Sequence, residues 1–244
     1  MSAARAASSS AGSATGPVAV VIAARNEATR IGATVTAAAG LDGVGLVVVV
    51  DDGSSDGTAG LARQAGAAVT RHPRNRGKGA AMETGAAAVS LIDQREHRDR
   101  PRHLLFLDGD LGASAAQAGP LTVPVLAGTA DMTIAFFAAT TKLGGHGLVV
   151  GLSGAGIRRA TGWRPVQPLN GQRCLTRAAF AAARPLAPGW GVETALTIDL
   201  IRRGFRVTEV KVDLAHRATG TGWRSQLHRA RQLADVARAL AVRP

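Results

Sequence analysis

Two carboxylates stand one residue apart in Asp108-Gly109-Asp110, directly after the apolar run Leu104-Leu105-Phe106-Leu107. Such a run reads as a buried strand, and Gly109 lets backbone pass close to a ligand. The spacing allows both carboxylates to meet one divalent cation, so a metal site at a strand tip is the expected chemistry. Asn26-Glu27, Asp51-Asp52 and Arg76-Gly77-Lys78-Gly79 fall at comparable places along the chain. Polar groups at successive tips of one parallel sheet converge on one crevice, because helices cover both faces and leave only the strand ends open.

The elements that must position these groups alternate along the N-terminal half. Strands are expected at 18–23, 45–50, 67–70 and 104–107, and helices from the Ala-rich stretch ending near Ala39, at 58–65 and at 80–91. Ser55 or Asp56 is placed to cap the second helix. Strand, helix, strand, helix with short loops predicts an α/β fold with a doubly wound, mostly parallel sheet. Residues 93–102 read as a charged surface loop. Beyond Asp110 the rhythm loosens: helix at 113–126, strand at 130–137, a glycine-rich loop at 142–151, then helices at 152–161, 177–183 and 191–203 and a strand at 206–214. From Trp223 onward Leu227, Ala230, Ala234, Ala237 and Ala241 share a stripe between arginines, an amphipathic helix. Its small apolar face is expected to pack on the domain, with an anionic bilayer surface as the alternative.

The 244 residues are 46% hydrophobic, enough for the core of one sizeable domain. The net charge of +12 suits anionic partners. Only five Phe, three Trp and no Tyr are present, too few for a base-stacking platform, and the arginines are dispersed, so no nucleic-acid partner is expected. Cys174 is the single cysteine, which excludes an internal disulfide and points to a reducing, cytoplasmic compartment. No stretch of eighteen uninterrupted apolar residues occurs. Residues 1–16 lack an apolar signal core and read as a disordered lead-in.

In their order and setting, Ala24-Arg25-Asn26-Glu27, Asp51-Asp52-Gly53-Ser54-Ser55-Asp56-Gly57-Thr58, Arg76-Gly77-Lys78-Gly79 and Asp108-Gly109-Asp110 resemble a family 2-type glycosyltransferase of the GT-A fold. The resemblance runs over roughly residues 17–220. It implies a single domain with a nucleotide-binding N-terminal half and a nucleotide-sugar donor, a UDP-sugar being favoured. The Ala24, Arg25 and Glu27 loop and Asp52 would bind base and ribose, Lys78 would lie beside the donor, and Asp108 with Gly109 would touch ribose or metal. Asp110 would ligate Mg2+ or Mn2+, with His216 completing the shell from the far side. Carboxylates suit base amides and ribose hydroxyls, whereas a diphosphate suits a cation and a lysine.

Glu193, behind the glycine-bracketed Trp190, is a candidate general base for the acceptor hydroxyl; the alternative is that it complements a helix dipole. The 166–173 segment and Gly191-Val192-Glu193 also resemble the branch containing glucosyl-3-phosphoglycerate synthase, whose retaining chemistry would demote Glu193. Gly144-Gly145-His146-Gly147-Leu148 lacks the arginine and threonine with which that branch holds its acceptor's phosphate. The acceptor, a small molecule or a lipid-linked hydroxyl, is therefore left open. Arg173 and Arg217 are candidates for an acidic acceptor or the donor diphosphate. Two rivals follow from the same residues. A nucleotidyltransferase would need a glycine-rich loop after the first strand, which Ala24-Arg25-Asn26-Glu27 is not; a catalytically silent nucleotide-sugar-binding module would not need its metal-site residues.

Overall fold

The computed structural model describes residues 16–137, 147–213 and 223–243. Four parallel strands, β1 (Val18–Ala24), β2 (Val44–Asp51), β3 (Ala68–Arg71) and β4 (His103–Asp108), form the N-terminal half, linked by helices α1 (Ile31–Ala39), α2 (Thr58–Gln64) and α3 (Lys78–Arg95). The apolar runs are continuous because both faces are covered. Val18, Val20, Ile22, Val49, Leu105 and Leu107 face Ile31, Val35 and Ala38 of α1. Val21, Val48, Leu104 and Phe106 face Met82, Ala86 and Val89 of α3. Full burial of side chains of this size contributes about 1.5–3 kcal/mol each.

The chain continues through α4 (Val123–Leu126), β5 (Met132–Phe136), α5 (Gly147–Thr161), β6 (Arg173–Leu175), α6 (Arg177–Ala182), α7 (Val192–Arg202), β7 (Val207–Lys211) and α8 (Trp223–Ala241). The sheet order is β3-β2-β1-β4-β6-β5-β7. β6 runs antiparallel to both β4 and β5, and the other pairings are parallel. Strand order reverses at β1 and β4, whose tips carry the Ala24–Glu27 and Asp108–Asp110 segments. That reversal opens the crevice.

Several expectations change. The 93–102 stretch is a surface loop only over 96–101: α3 runs on to Arg95, and Arg102 is fully buried, its guanidinium 2.5 Å from Asp93 and from Glu96. Paired opposite charges make that burial tolerable. The 113–126 helix breaks into a 3-10 segment, Gly112–Leu121, and the short α4, because Pro120 supplies no N–H to an α-helical ladder. Gly147 to Gly151 open α5 rather than extend a loop, since Val149, Ser153 and Ile157 bury one face of that helix. Residues 142–146 of that loop, His216, Arg217 and residues 1–15 lie outside the described residues.

α8 packs on the domain, but not through the expected stripe: Ala234, Ala237 and Ala241 are exposed, and Val236 and Ala239 are the buried residues, because the helix presents the neighbouring face to the domain. Arg243 clasps Asp199 of α7 with two contacts of 2.7 Å. No helix among the described residues is long and apolar enough to cross a membrane.

Candidate functional site

The β2–α2 turn exists largely to hold the β1–α1 loop. Ser54 Oγ accepts from Asn26 N (2.9 Å), Thr58 Oγ1 from Glu27 N (2.9 Å) and Asp56 Oδ2 from Ala28 N (3.2 Å). In return Asn26 Oδ1 accepts from Ser55 N (2.9 Å). Asn26 adopts φ 57, a conformation its short polar side chain tolerates and these bonds lock. Asp56 also accepts from Thr58 N (3.0 Å), the first N–H of α2, although the N-cap position itself is Gly57. Gly53, at φ 75, carries the turn within reach of the next loop: a Cβ there would sit 2.7 Å from the Arg74 carbonyl carbon.

Asp52, at the β2 tip, is engaged by the protein itself. Its Oδ1 accepts from Arg76 N (2.8 Å) and His72 Nδ1 (2.7 Å), and its Oδ2 from Gly77 N (2.8 Å). The carboxylate thus shapes the loop that delivers Lys78, the first residue of α3. Lys78 Nζ reaches Asp108 Oδ1 at 2.7 Å and Glu193 Oε1 at 3.2 Å. Burial pulls the Lys78 pKa down, but the charges of Asp108 and Glu193 more than reverse this, and the net shift is upward. Lys78 is therefore a fixed cation across the physiological range.

Gln172 Nε2 donates to Asp108 Oδ2 at 2.7 Å, so both oxygens of Asp108 are held. Gly171 makes room for this grip, since a Cβ there would lie 1.9 Å from Lys78 Nζ. Asp110 differs. Its backbone carbonyl accepts from Arg30 (3.2 Å), whereas no described residue donates to its half-buried carboxylate.

These groups line one cavity of about 430 Å³, bounded by Ala24, Arg25, Glu27, Asp52, Lys78, Asp108, Gly109, Asp110 and, on the far wall, Gly189 and Trp190. Every Asp, Glu and Lys singled out in the N-terminal motifs, Asp51 and Asp56 apart, reaches it. The volume suits a nucleotide-sized ligand. Residues 19–137, which span all four motifs, match the model of the Glycosyl transferase family 2. The chain carries a family 2 glycosyl transferase domain.

Relatives and solved structures agree with that assignment. The chain is 29% identical to glycosyltransferase AglJ of Haloferax volcanii, over 74% of this chain and 57% of that protein. It is 30% identical to glucosyl-3-phosphoglycerate synthase of Mycolicibacterium paratuberculosis, over 76% of this chain and 60% of that protein. It thus spans under two thirds of these curated relatives. Glucosyl-3-phosphoglycerate synthase from Mycobacterium tuberculosis, solved with Mg2+ and uridine diphosphate, superposes with a TM-score of 0.74 at 26% identity, covering 95% of this chain and 81% of that one. Its complex with Mn2+, uridine diphosphate and glucosyl-3-phosphoglycerate gives 0.71 at the same identity, covering 95% and 82%.

Around the cavity some expectations need revising. Arg173 is not a ligand-facing cation. It is 1% exposed, and it donates to the carbonyls of Asn170 (2.8 Å), Pro168 (2.9 Å) and Glu193 (3.1 Å) and to Thr197 Oγ1 (2.8 Å). Burial pushes its pKa down to about 10. It fastens the 168–170 loop to α7. Glu193 opens α7 as expected, yet it is 5% exposed and meets Lys78. Among the described residues no group of three or more His, Cys, Asp or Glu side chains forms a metal cage; His216, expected to contribute, lies outside them. Gln172 and His72 carried no signal in the sequence. Each acts on a carboxylate 64 or 20 positions away, contacts that no local pattern encodes.

Proposed function

We propose that this chain is a metal-assisted glycosyltransferase that moves a sugar from a nucleoside-diphosphate donor, a UDP-sugar being favoured, to an acceptor hydroxyl. The observation that carries the reading is the convergence of Glu27, Asp52, Lys78, Asp108 and Asp110 on one cavity at the point where strand order reverses. The similarity to synthases solved with uridine diphosphate and Mg2+ or Mn2+ supports both the donor class and the cation.

Each residue has a part in this reading. The Arg25–Glu27 loop and the Asn75–Gly77 backbone, gathered by Asp52, receive base and ribose. Asp108, immobilised by Lys78 and Gln172, presents a fixed carboxylate edge to the ribose or the cation. Asp110 fits a hard divalent cation: it lines the cavity, its carboxylate has no donor among the described residues, and such cations are commonly held by one or two carboxylates plus substrate phosphates. His216 is the further ligand that the family resemblance adds. When bound, Mg2+ or Mn2+ supplies Lewis-acid stabilisation to the departing diphosphate. Lys78 adds a positive charge where the bond between the anomeric carbon and the diphosphate oxygen breaks and negative charge accumulates. The acceptor oxygen bonds the anomeric carbon and passes its proton to the departing diphosphate or to solvent. The tie between Glu193 and Lys78 favours a role for Glu193 in holding the ammonium over one as the base that takes this proton.

Thermal-shift measurement with UDP-sugars, with and without Mn2+, tests the proposal. A true donor raises Tm more when the cation is present, and Asp110→Ala removes that increment without unfolding the protein. A variant that keeps the full Mn2+-dependent increment would refute the role of Asp110.

A further inference from the structure

His72 lies outside the cavity lining, is 4% exposed, and uses both ring nitrogens. Its Nδ1 meets Asp52 Oδ1 at 2.7 Å and its Nε2 meets Thr84 Oγ1 of α3 at 2.9 Å. A carboxylate only accepts, so Nδ1 carries a hydrogen; in the neutral ring Nε2 then accepts from the Thr84 hydroxyl. The backbone N of His72 also donates to the Asp51 carbonyl (2.9 Å), which locks the residue to the β2 edge. A buried polar ring paid for by two bonds is costly to keep unless they are made.

What His72 holds is not idle. The same Oδ1 accepts from Arg76 N, and the other oxygen accepts from Gly77 N, at 2.8 Å each. Gly77 sits at φ 87 and is the residue from which α3 departs, with Lys78 at its first position. If Asp52 rotated, the Arg76 amide would lose its acceptor and the Gly77 amide would keep only Asn75 Oδ1 (2.9 Å), the first turn of α3 would loosen, and Lys78 would no longer be delivered to Asp108.

We propose that His72 is a positioning residue for the nucleotide donor: by donating from Nδ1 to Asp52, and by being held in turn by Thr84, it fixes the carboxylate that gathers the Arg76 and Gly77 amides and aims Lys78. The inference rests on the glycosyltransferase reading for the nature of the donor, and concerns a residue to which that reading gives no part.

Uridine diphosphate with Mn2+ is the probe, titrated calorimetrically into the full chain and three variants. His72→Asn keeps a donor near the Nδ1 position, His72→Leu fills the space without one, and Thr84→Val removes the outer bond at nearly constant shape. The expected order of affinity is wild type, His72→Asn, then His72→Leu, with the leucine variant weakened at least about tenfold, as for loss of a hydrogen bond to a charged group. Thr84→Val falls a few fold below wild type. A residue that served only packing would give the opposite order, because leucine suits a buried site better than asparagine; a leucine variant that binds as tightly as the asparagine variant overturns the proposal. Should wild type bind no uridine diphosphate, the donor assignment fails. Hydrogen exchange at the Arg76 amide, whose acceptor is Asp52, then decides the positioning role by itself: faster exchange in His72→Leu than in His72→Asn supports it, and equal rates overturn it.

Discussion

Gly171→Ala is the most direct probe of the Lys78 grip. The backbone at Gly171 is not in the left-handed region, so alanine is conformationally acceptable there. The new Cβ, however, would fall 1.9 Å from Lys78 Nζ, 3.1 Å from its Cε and 3.4 Å from Asp108 Oδ1. The end of a lysine is the most compliant of these neighbours, and it must retreat. Moving the ammonium from 2.7 Å to about 4 Å from Asp108 forfeits about 2 kcal/mol of attraction at an effective dielectric constant near 20. The two side chains are 22% and 30% exposed, so water recovers part of that loss, leaving about 1 kcal/mol. The expected result is an approximately fivefold loss of affinity for uridine diphosphate with Mn2+. Replacing glycine with alanine also lowers unfolded-state entropy by about 0.4–1 kcal/mol, which offsets most of that loss, so Tm should stay close to that of the wild type. Calorimetric titration paired with a melting curve separates the two effects. Unchanged nucleotide affinity, or a variant structure with Lys78 still on Asp108, would refute the reasoning.

Three other expectations follow from buried groups. Arg173→Met leaves the carbonyls of Pro168 and Asn170 without the guanidinium, while that of Glu193 keeps Thr197 Oγ1, and should destabilise the fold by at least about 2 kcal/mol in urea unfolding; a change below about 0.5 kcal/mol would make Arg173 a dispensable charge. Cys174 is fully buried and its thiol is pushed up to about 12 by burial, so a thiol reagent should label it only after unfolding, and rapid labelling of native protein would contradict the packing of β6. Because the Lys78 pKa is raised above its ordinary 10.5, the stability it contributes is fully present below pH 10.5 and declines only as pH rises beyond that value. The stability difference between wild type and Lys78→Met should therefore be flat from about pH 6 to 9; a slope in that window would mean that Lys78 is not held by the two carboxylates.

Much of the site was legible because strand tips announce themselves. Continuous apolar runs ended at Ala24, Asp51 and Asp108, and a doubly wound sheet brings such ends together whatever the details of its loops. The 74–77 loop was equally readable, since Gly77 and Gly79 bracket a lysine at a helix start. The C-terminal half was harder. β6 is three residues long and includes an arginine, so neither periodicity nor composition marks it, and only antiparallel pairing with β4 and β5 makes it a strand. The same pairing buries Arg173, which in one dimension looked like a ligand-facing charge.

By itself the sequence determined the class of fold, the order of the N-terminal elements and the residue types at the crevice, because hydrophobic period and turn chemistry are local properties of the chain. Tertiary structure alone decided which carboxylates are engaged and which is open. Asp52 is held by His72 and two loop amides and Asp108 by Lys78 and Gln172, while Asp110, on the cavity wall, has no donor to its carboxylate among the described residues. Three identical side chains acquire three different roles because a hydrogen bond needs its partners within about 3 Å, a condition set by packing across many tens of residues.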